Sequence, residues 1–212
     1  MLFVRLPTLT TQLVLRWDRM PENEREAWNQ RYREGSHGGS GPDPFLIKTY
    51  ADFIQPLFPA AGAALDLAGG AGRHAIYLAE HGWRVTLADI SEAGIERARH
   101  SASRHNVMLD FLVGDARSLE LGRDRYDLVM VFFFLERDIF PVLGAALRAG
   151  GLMIYRTYTH EHEKFARHRL THPMYFLRDN ELLHAFPDFR ILHYAESVHE
   201  RGVAELVARK PL

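Results

Sequence analysis

From residue 63 the chain alternates short apolar runs with amphipathic stretches. The runs at 63–68, 84–89, 107–113, 126–133 and 151–158 are short enough for strands, and 72–81, 92–105 and 138–148 carry helical spacing. Such alternation predicts βαβ units. Near the end, "FRILHYAESV" and "VAELVARK" are separated only by "HERG", after a helix pattern in "RDNELLHAF". So short a link excludes a parallel crossover and predicts an antiparallel hairpin. The expected fold class is α/β: a doubly wound, mostly parallel seven-stranded sheet, with helices on both faces and a C-terminal antiparallel hairpin. Upstream, "ENEREAWNQRYREG" reads as a helix stopped by Gly35. "SHGGSGPDP" reads as a connector, and "PFLIKTYADFIQPLF" as a second amphipathic helix ending near Pro59.

Composition narrows the picture. A chain of 212 residues favours one domain, with 47% hydrophobic and 25% charged residues, the mixture of a globular protein. The formal charge of −1 supplies no global field for nucleic acid or an anionic membrane. There is no cysteine, which removes disulfides and thiolate nucleophiles and suits a cytoplasmic location. The start, "MLFVRLPTLTTQLVLRW", is interrupted by Arg5, Pro7 and Gln12, too broken for a membrane span and without a cleavage site. It is expected to be a docking strand or tail, or an extension upstream of a true start at Met20.

Chemistry concentrates in "ALDLAGGAGRHAIYLAEHGWRVTLADIS", residues 64–91. A glycine turn between strand and helix admits a ligand close to the backbone and aims helix N–H groups at it. Gly70, Gly72 and Ala75 fit the dinucleotide spacing G-x-G-x-x-A, and Asp89 can hold a ribose. An NAD(P)-dependent oxidoreductase is therefore one reading. Asp66, expected to face the same crevice, argues against it. A pyrophosphate there meets a carboxylate, a repulsion of a few kcal/mol at an effective dielectric of about 20. A ligand with an ammonium and a sulfonium is attracted instead, and S-adenosylmethionine is such a ligand. The plainer role for Asp66 is a cap on the next helix.

"DLAGGAG" from Asp66 to Gly72, Asp89 after the second strand, and Asp115–Ala116 in "VGDARSL" form an ordered set. This set resembles the class I, Rossmann-like S-adenosylmethionine-dependent methyltransferases. "WNQRY", "FPVLGAALRAGGLMIY" and "ELLHAF" look like the small-molecule branch that includes tellurite-resistance proteins. The resemblance implies S-adenosylmethionine as cofactor. It implies contacts to the methionine portion from Asp66, Ala68, Gly69, Gly70, Gly72, Arg73 and His74, to the ribose from Asp89 with Ile90, and to the adenine from Asp115 with Ala116. Phe132 is expected near the methyl group. Ala68 departs from the family's glycine and can narrow the approach of the methionine chain. The implied layout is an extension at 1–20 and one methyltransferase domain at 21–212. Within it lie N-terminal helices (21–60), a cofactor-binding core (61–158), a substrate-side insertion (159–178) and a C-terminal helix with hairpin (179–212).

The acceptor pocket is expected from Tyr32, Phe133, Phe134, Arg137, Arg156 and Tyr158. Tyr32 and Trp28 can cover the cofactor, although Trp28 suits packing better. Arg137 can clamp an anion or sit solvated at a helix start, and strand alternation must turn either Arg156 or Tyr158 away. Methyl transfer needs alignment above all, worth roughly 7–11 kcal/mol in favourable cases, so the lack of a catalytic dyad is no objection. "HEHEKFARHRLTH" carries His160, His162, His168 and His172, but no repeated half-site, so no metal is predicted. Arg167 and Arg169 there can belong to a substrate-covering lid or to solvated surface. Arg97, Arg99 and Arg104 read as a solvated helix face without a base-stacking platform, which disfavours nucleic acid. The expected partner is a small-molecule methyl acceptor, with no membrane and no predicted oligomeric state. A module that binds S-adenosylmethionine without catalysis is a third reading.

Overall fold

The computed structural model describes residues 24–35, 37, 39, 41–165 and 173–212. The expectations for 1–20, for Met20 and for Arg167, His168, Arg169 and His172 lie outside the described residues.

Seven strands form one sheet in the order β3-β2-β1-β4-β5-β7-β6. They are β1 (Ala63–Leu67), β2 (Arg84–Asp89), β3 (Leu109–Val113), β4 (Tyr126–Phe132), β5 (Leu147–Tyr158), β6 (Arg190–Val198) and β7 (Gly202–Arg209). The first five pair in parallel, whereas β7 runs antiparallel to both β5 and β6, giving the expected hairpin. Helices follow in chain order: α1 (Glu24–Arg33), α2 (Pro44–Thr49), α3 (Arg73–Glu80), α4 (Glu92–Arg104), α5 (Phe140–Ala146) and α6 (Glu181–Ala185). α2 continues through a π-helical turn, Tyr50–Ile54, into a last α-helical turn, Gln55–Leu57. Among the described residues no helix is long and apolar enough to cross a membrane.

Strand pleating divides the core in two. Leu65, Leu67, Val129, Val131, Met153 and Tyr155 pack with Phe140, Leu143 and Leu182 from α5 and α6. The intervening Ala64, Leu128, Met130, Phe132, Leu152 and Ile154 pack with Ala75 and Leu78 of α3, Ile95 and Ala98 of α4, and Phe45 and Leu46 of α2. Both faces are therefore covered, which is why the parallel strands read as continuous apolar runs.

One boundary departs from the sequence pattern. The helix expected over 138–148 begins as a 3-10 turn, Arg137–Ile139, and its α-helical part ends at Ala146. Leu147 and Arg148 already belong to β5, because Arg148 grips Asp127 of β4 through both carboxylate oxygens at 2.8 and 2.9 Å. That contact, with Leu147 paired to Tyr126, draws the segment into the sheet.

Candidate active site

The C-terminal ends of β1, β2, β3 and β4 open on one side of the sheet. β1 lies between β2 and β4, so the strand order reverses there and leaves the crevice in which open α/β sheets bind ligands. A cleft of about 230 Å³ occupies that point. Ala68, Gly69, Arg73, His74, Asp89, Ile90, Asp115, Ala116, Phe132, Phe133 and Phe134 all line it, as does Tyr32 from α1.

The glycine turn is shaped by close contacts. The Gly70 N–H donates to Asp89 at 2.8 Å, and the other Asp89 oxygen accepts from the Ser91 N–H at 2.8 Å. Burial raises the Asp89 pKa, and these backbone donors oppose the rise. Each oxygen still has a lone pair to offer. Gly70 (φ +56°) lies directly beneath Tyr32, because a Cβ there would fall 1.9 Å from the phenol oxygen. Gly72 (φ +81°) has a packing role, since its Cβ would meet Ala98 at 2.9 Å and Leu87 at 3.0 Å. Neither Gly70 nor Gly72 forms part of the cleft wall. Ala68, with φ +55°, holds the left-handed conformation without being glycine.

Asp66 corrects an expectation. It does not line the cleft but lies fully buried beneath Gly69, whose Cβ would be 2.6 Å from a carboxylate oxygen. The pleat of β1 turns it to the same face as Ala64, toward α3. Neither of its oxygens makes a full hydrogen bond. Burial raises its pKa to about 7, aided by the neighbouring Asp89, while the nearby Ala75 amide and Arg73 act in the opposite direction. Its influence on a ligand therefore passes through the turn from below.

His74 opens α3 and is 3% exposed, with its ring 4.1 Å from that of Phe132. Its Nε2 has no partner. Burial lowers its pKa to about 3, reinforced by Arg73 and Arg156, so the imidazole is neutral at physiological pH.

α1 forms the cover. Asn29 accepts from the Ser91 hydroxyl at 2.7 Å and from the Ala93 N–H at 3.1 Å, and donates to Glu92 at 3.0 Å. Arg97 donates to the Tyr32 carbonyl at 2.8 Å, so it latches α1 and is not merely a solvated helix residue. Held in this way, α1 presents Glu24, Trp28 and Tyr32 to the cleft. Burial, then the Asp89 and Asp66 charges, keep the Tyr32 phenol protonated. Asn29 gave no signal in the sequence beyond a polar residue inside "WNQRY".

At the far end Asp115 is held by Arg117, with Nε–O distances of 3.0 and 3.1 Å and Nη2–O 2.5 Å. This pairing lowers the Asp115 pKa. Arg117, Glu24 and Glu136 also line this end, and the sequence reading missed all three. The spacing of "DAR" was the available cue for Arg117.

Three residues expected in the acceptor pocket do not line this cleft. Arg137 donates to Glu181 at 2.5 and 2.9 Å and to the carbonyls of Met174 and Phe176 at 3.1 and 2.9 Å, so it clamps the 173–181 segment. Arg156 is turned to Asp43 and to Glu205, 3.0 Å away, tying the start of α2 to the sheet. Tyr158 stacks on His162 at 4.0 Å. His160 pairs with Glu161 and Asp179 at 3.3 and 3.4 Å, and no metal-binding cluster occurs among the described residues.

The cleft wall thus carries four carboxylates (Glu24, Asp89, Asp115, Glu136) against two guanidiniums (Arg73, Arg117), with Asp66 just beneath. Such a wall suits a cationic ligand and repels a pyrophosphate. Residues 64–151 match the family described as "Methyltransferase domain". That match runs from β1 into β5 and takes in the glycine turn, Asp66, Asp89 and Asp115. An S-adenosyl-L-methionine-dependent Diels-Alderase, iccD, of Talaromyces variabilis is 40% identical over 29% of this chain and 21% of its own. A tRNA 5-carboxymethoxyuridine methyltransferase of Escherichia coli is 30% identical over 47% of this chain and 41% of its own. This chain spans less than half the length of either protein. Among solved structures, TehB from Haemophilus influenzae shares the fold with a TM-score of 0.67 at 19% identity, covering 86% of this chain and 67% of that one.

Proposed function

We propose that this protein binds S-adenosylmethionine in the acid-walled cleft and transfers its methyl group to a small-molecule acceptor. The observation that carries this reading is Asp89. Its carboxylate is fixed by the Gly70 and Ser91 amides at the end of β2, beside the glycine turn and among acidic neighbours. An unpaired polar atom supports the fit, since His74 lines the cleft and its buried Nε2 has no partner. In this reading Arg73 would take the amino-acid carboxylate, Asp89 the ribose hydroxyls, and Asp115 with Ala116 the adenine.

Held there by Arg73, Asp89 and Asp115, the cofactor would supply an electrophilic methyl group to a nucleophilic acceptor. The protein's own task is alignment and exclusion of water. Phe132, Phe133 and Phe134 wall the reacting end, and Tyr32 covers the turn. His74 is a hydrogen-bond partner but too weak a base to hold an acceptor's proton at neutral pH. This favours an acceptor that arrives as an anion or as a soft neutral nucleophile. The acidic wall, which opposes a phosphate backbone, supports a small-molecule acceptor, although a protein similar to this chain is a tRNA methyltransferase.

Calorimetric titration with S-adenosylmethionine, S-adenosylhomocysteine and NAD tests the reading. Saturable binding of the first two, lost in Asp89→Ala, is expected. Binding of NAD alone, or of none, would overturn it.

A further inference from the structure

Phe133 belongs to two environments. The residue lines the cleft, and its ring lies 5.0 Å from that of Tyr158, with the Arg201 guanidinium carbon 5.9 Å from its centroid. Tyr158 in turn stacks on His162 at 4.0 Å and 18°. Four elements therefore meet: the ends of β4 and β5, the 3-10 turn His160–Lys164 and the β6–β7 turn.

The backbone at this junction is closely packed. Gly202, next to Arg201, leaves no room for a side chain, because a Cβ would fall 2.4 Å from the His162 amide nitrogen and 2.7 Å from the Glu161 carbonyl carbon. The Thr159 N–H donates to the Gly202 carbonyl at 3.1 Å, which fixes the turn that carries Arg201. The other guanidinium near Phe133, that of Arg156, is offset by Asp43 and Glu205. Arg201 meets no carboxylate among the described residues. Beside it, the His162 Nδ1 is buried without a partner, and burial together with Arg201 keeps that imidazole neutral.

A cation without a carboxylate partner among the described residues, next to aromatic rings and adjoining the cleft through Phe133, is complementary to a flat anion. We infer that Phe133, Tyr158, His162 and Arg201 form the acceptor subsite and that the acceptor is a planar, unsaturated molecule carrying a carboxylate. Arg201 takes the carboxylate, the aromatic rings take the planar part, and Phe133 joins this subsite to the cofactor cleft. The inference rests on the methyl-transfer reading for its meaning, but its chemistry is tested apart from it.

The probes are 2-naphthoate and its neutral isostere 2-naphthamide, titrated into protein saturated with S-adenosylhomocysteine so that Arg73 and the cleft are occupied. Naphthoate is expected to bind, and naphthamide at least about tenfold more weakly, as removal of a charge-assisted hydrogen bond predicts. Arg201→Gln should lower naphthoate affinity by about tenfold and leave S-adenosylhomocysteine affinity unchanged, which also shows that the variant is folded. Equal binding of the two probes, equal naphthoate binding by Arg201→Gln, or no naphthoate binding at all would overturn the subsite. If S-adenosylhomocysteine itself failed to bind, the methyl-transfer reading would fall, and the same comparison on the ligand-free protein would decide the subsite alone.

Discussion

Asp66→Asn isolates the most unusual electrostatic feature of the cleft. The carboxylate is fully buried and unpartnered, and its pKa rises from 3.8 to about 7 in the folded chain. Because the folded value lies above the unfolded one, folding takes up a proton between them. Native stability from this group is fully present below about pH 4 and is lost as pH rises through about 7. A rise of roughly three units corresponds to about 4 kcal/mol. About 3 kcal/mol of that difference falls between pH 5 and pH 8.5. Asparagine carries no charge and leaves an unsatisfied buried amide, a pH-independent cost of about 1–3 kcal/mol.

The variant should therefore match the parent near pH 5 and exceed it by about 2 kcal/mol at pH 8.5, a change of sense that loss of a simple helix cap would not produce. Urea unfolding of both proteins without cofactor at pH 5, 7 and 8.5 measures the difference. Asp89 and Glu24 also have raised pKa values, but both groups are present in both proteins. A difference in stability that moves by less than about 1 kcal/mol across this range would refute the reasoning. Cofactor binding should move the opposite way. A positively charged ligand above Gly69 favours the ionised carboxylate, so S-adenosylmethionine affinity in the parent should climb toward pH 7 and flatten beyond it. Asp66→Asn should bind more weakly and lose that slope.

Two further substitutions test the turn and its cover. Ala68→Gly relieves a left-handed alanine worth about 1–2 kcal/mol but adds unfolded-state entropy, so thermal unfolding should show it neutral to about 1 kcal/mol more stable; a clear loss would mean that the alanine methyl group packs usefully. Asn29→Ala removes the acceptor for the buried Ser91 hydroxyl and the Ala93 N–H, at a cost of about 1–3 kcal/mol. It should also loosen α1, seen as weaker S-adenosylhomocysteine binding by calorimetry; unchanged affinity would show that the Asn29 contacts are not what holds the cover in place.

The sheet was legible because its signal is local. Strands buried on both faces produce apolar runs, and a four-residue link allows only a hairpin. The early start of β5 was not legible, since it depends on Arg148 meeting Asp127, twenty-one positions away. Arg156 failed for the same reason over a longer span: its partner Asp43 lies 113 residues upstream, so the strand end alone made it resemble a substrate contact. For Asp66 the alternation of β1 already placed it on the Ala64 face; its depth beneath Gly69 depended on how α3 closes over the turn. The residues that give the cleft its shape also hide their conformation. Ala68 and Phe133 both have positive φ, at the C-terminal ends of the adjacent strands β1 and β4. Neither residue type announces this in a sequence, and each holds the position at a cost of about 1–3 kcal/mol. Such strain persists only where the surroundings enforce it. At Phe133 they do so through its N–H, which donates to the Arg156 carbonyl at 2.7 Å, with the Arg156 side chain anchored by Asp43 and Glu205. Arg156 thus shapes the cleft without entering it: it sets the backbone that holds Phe133 between the cleft and Tyr158.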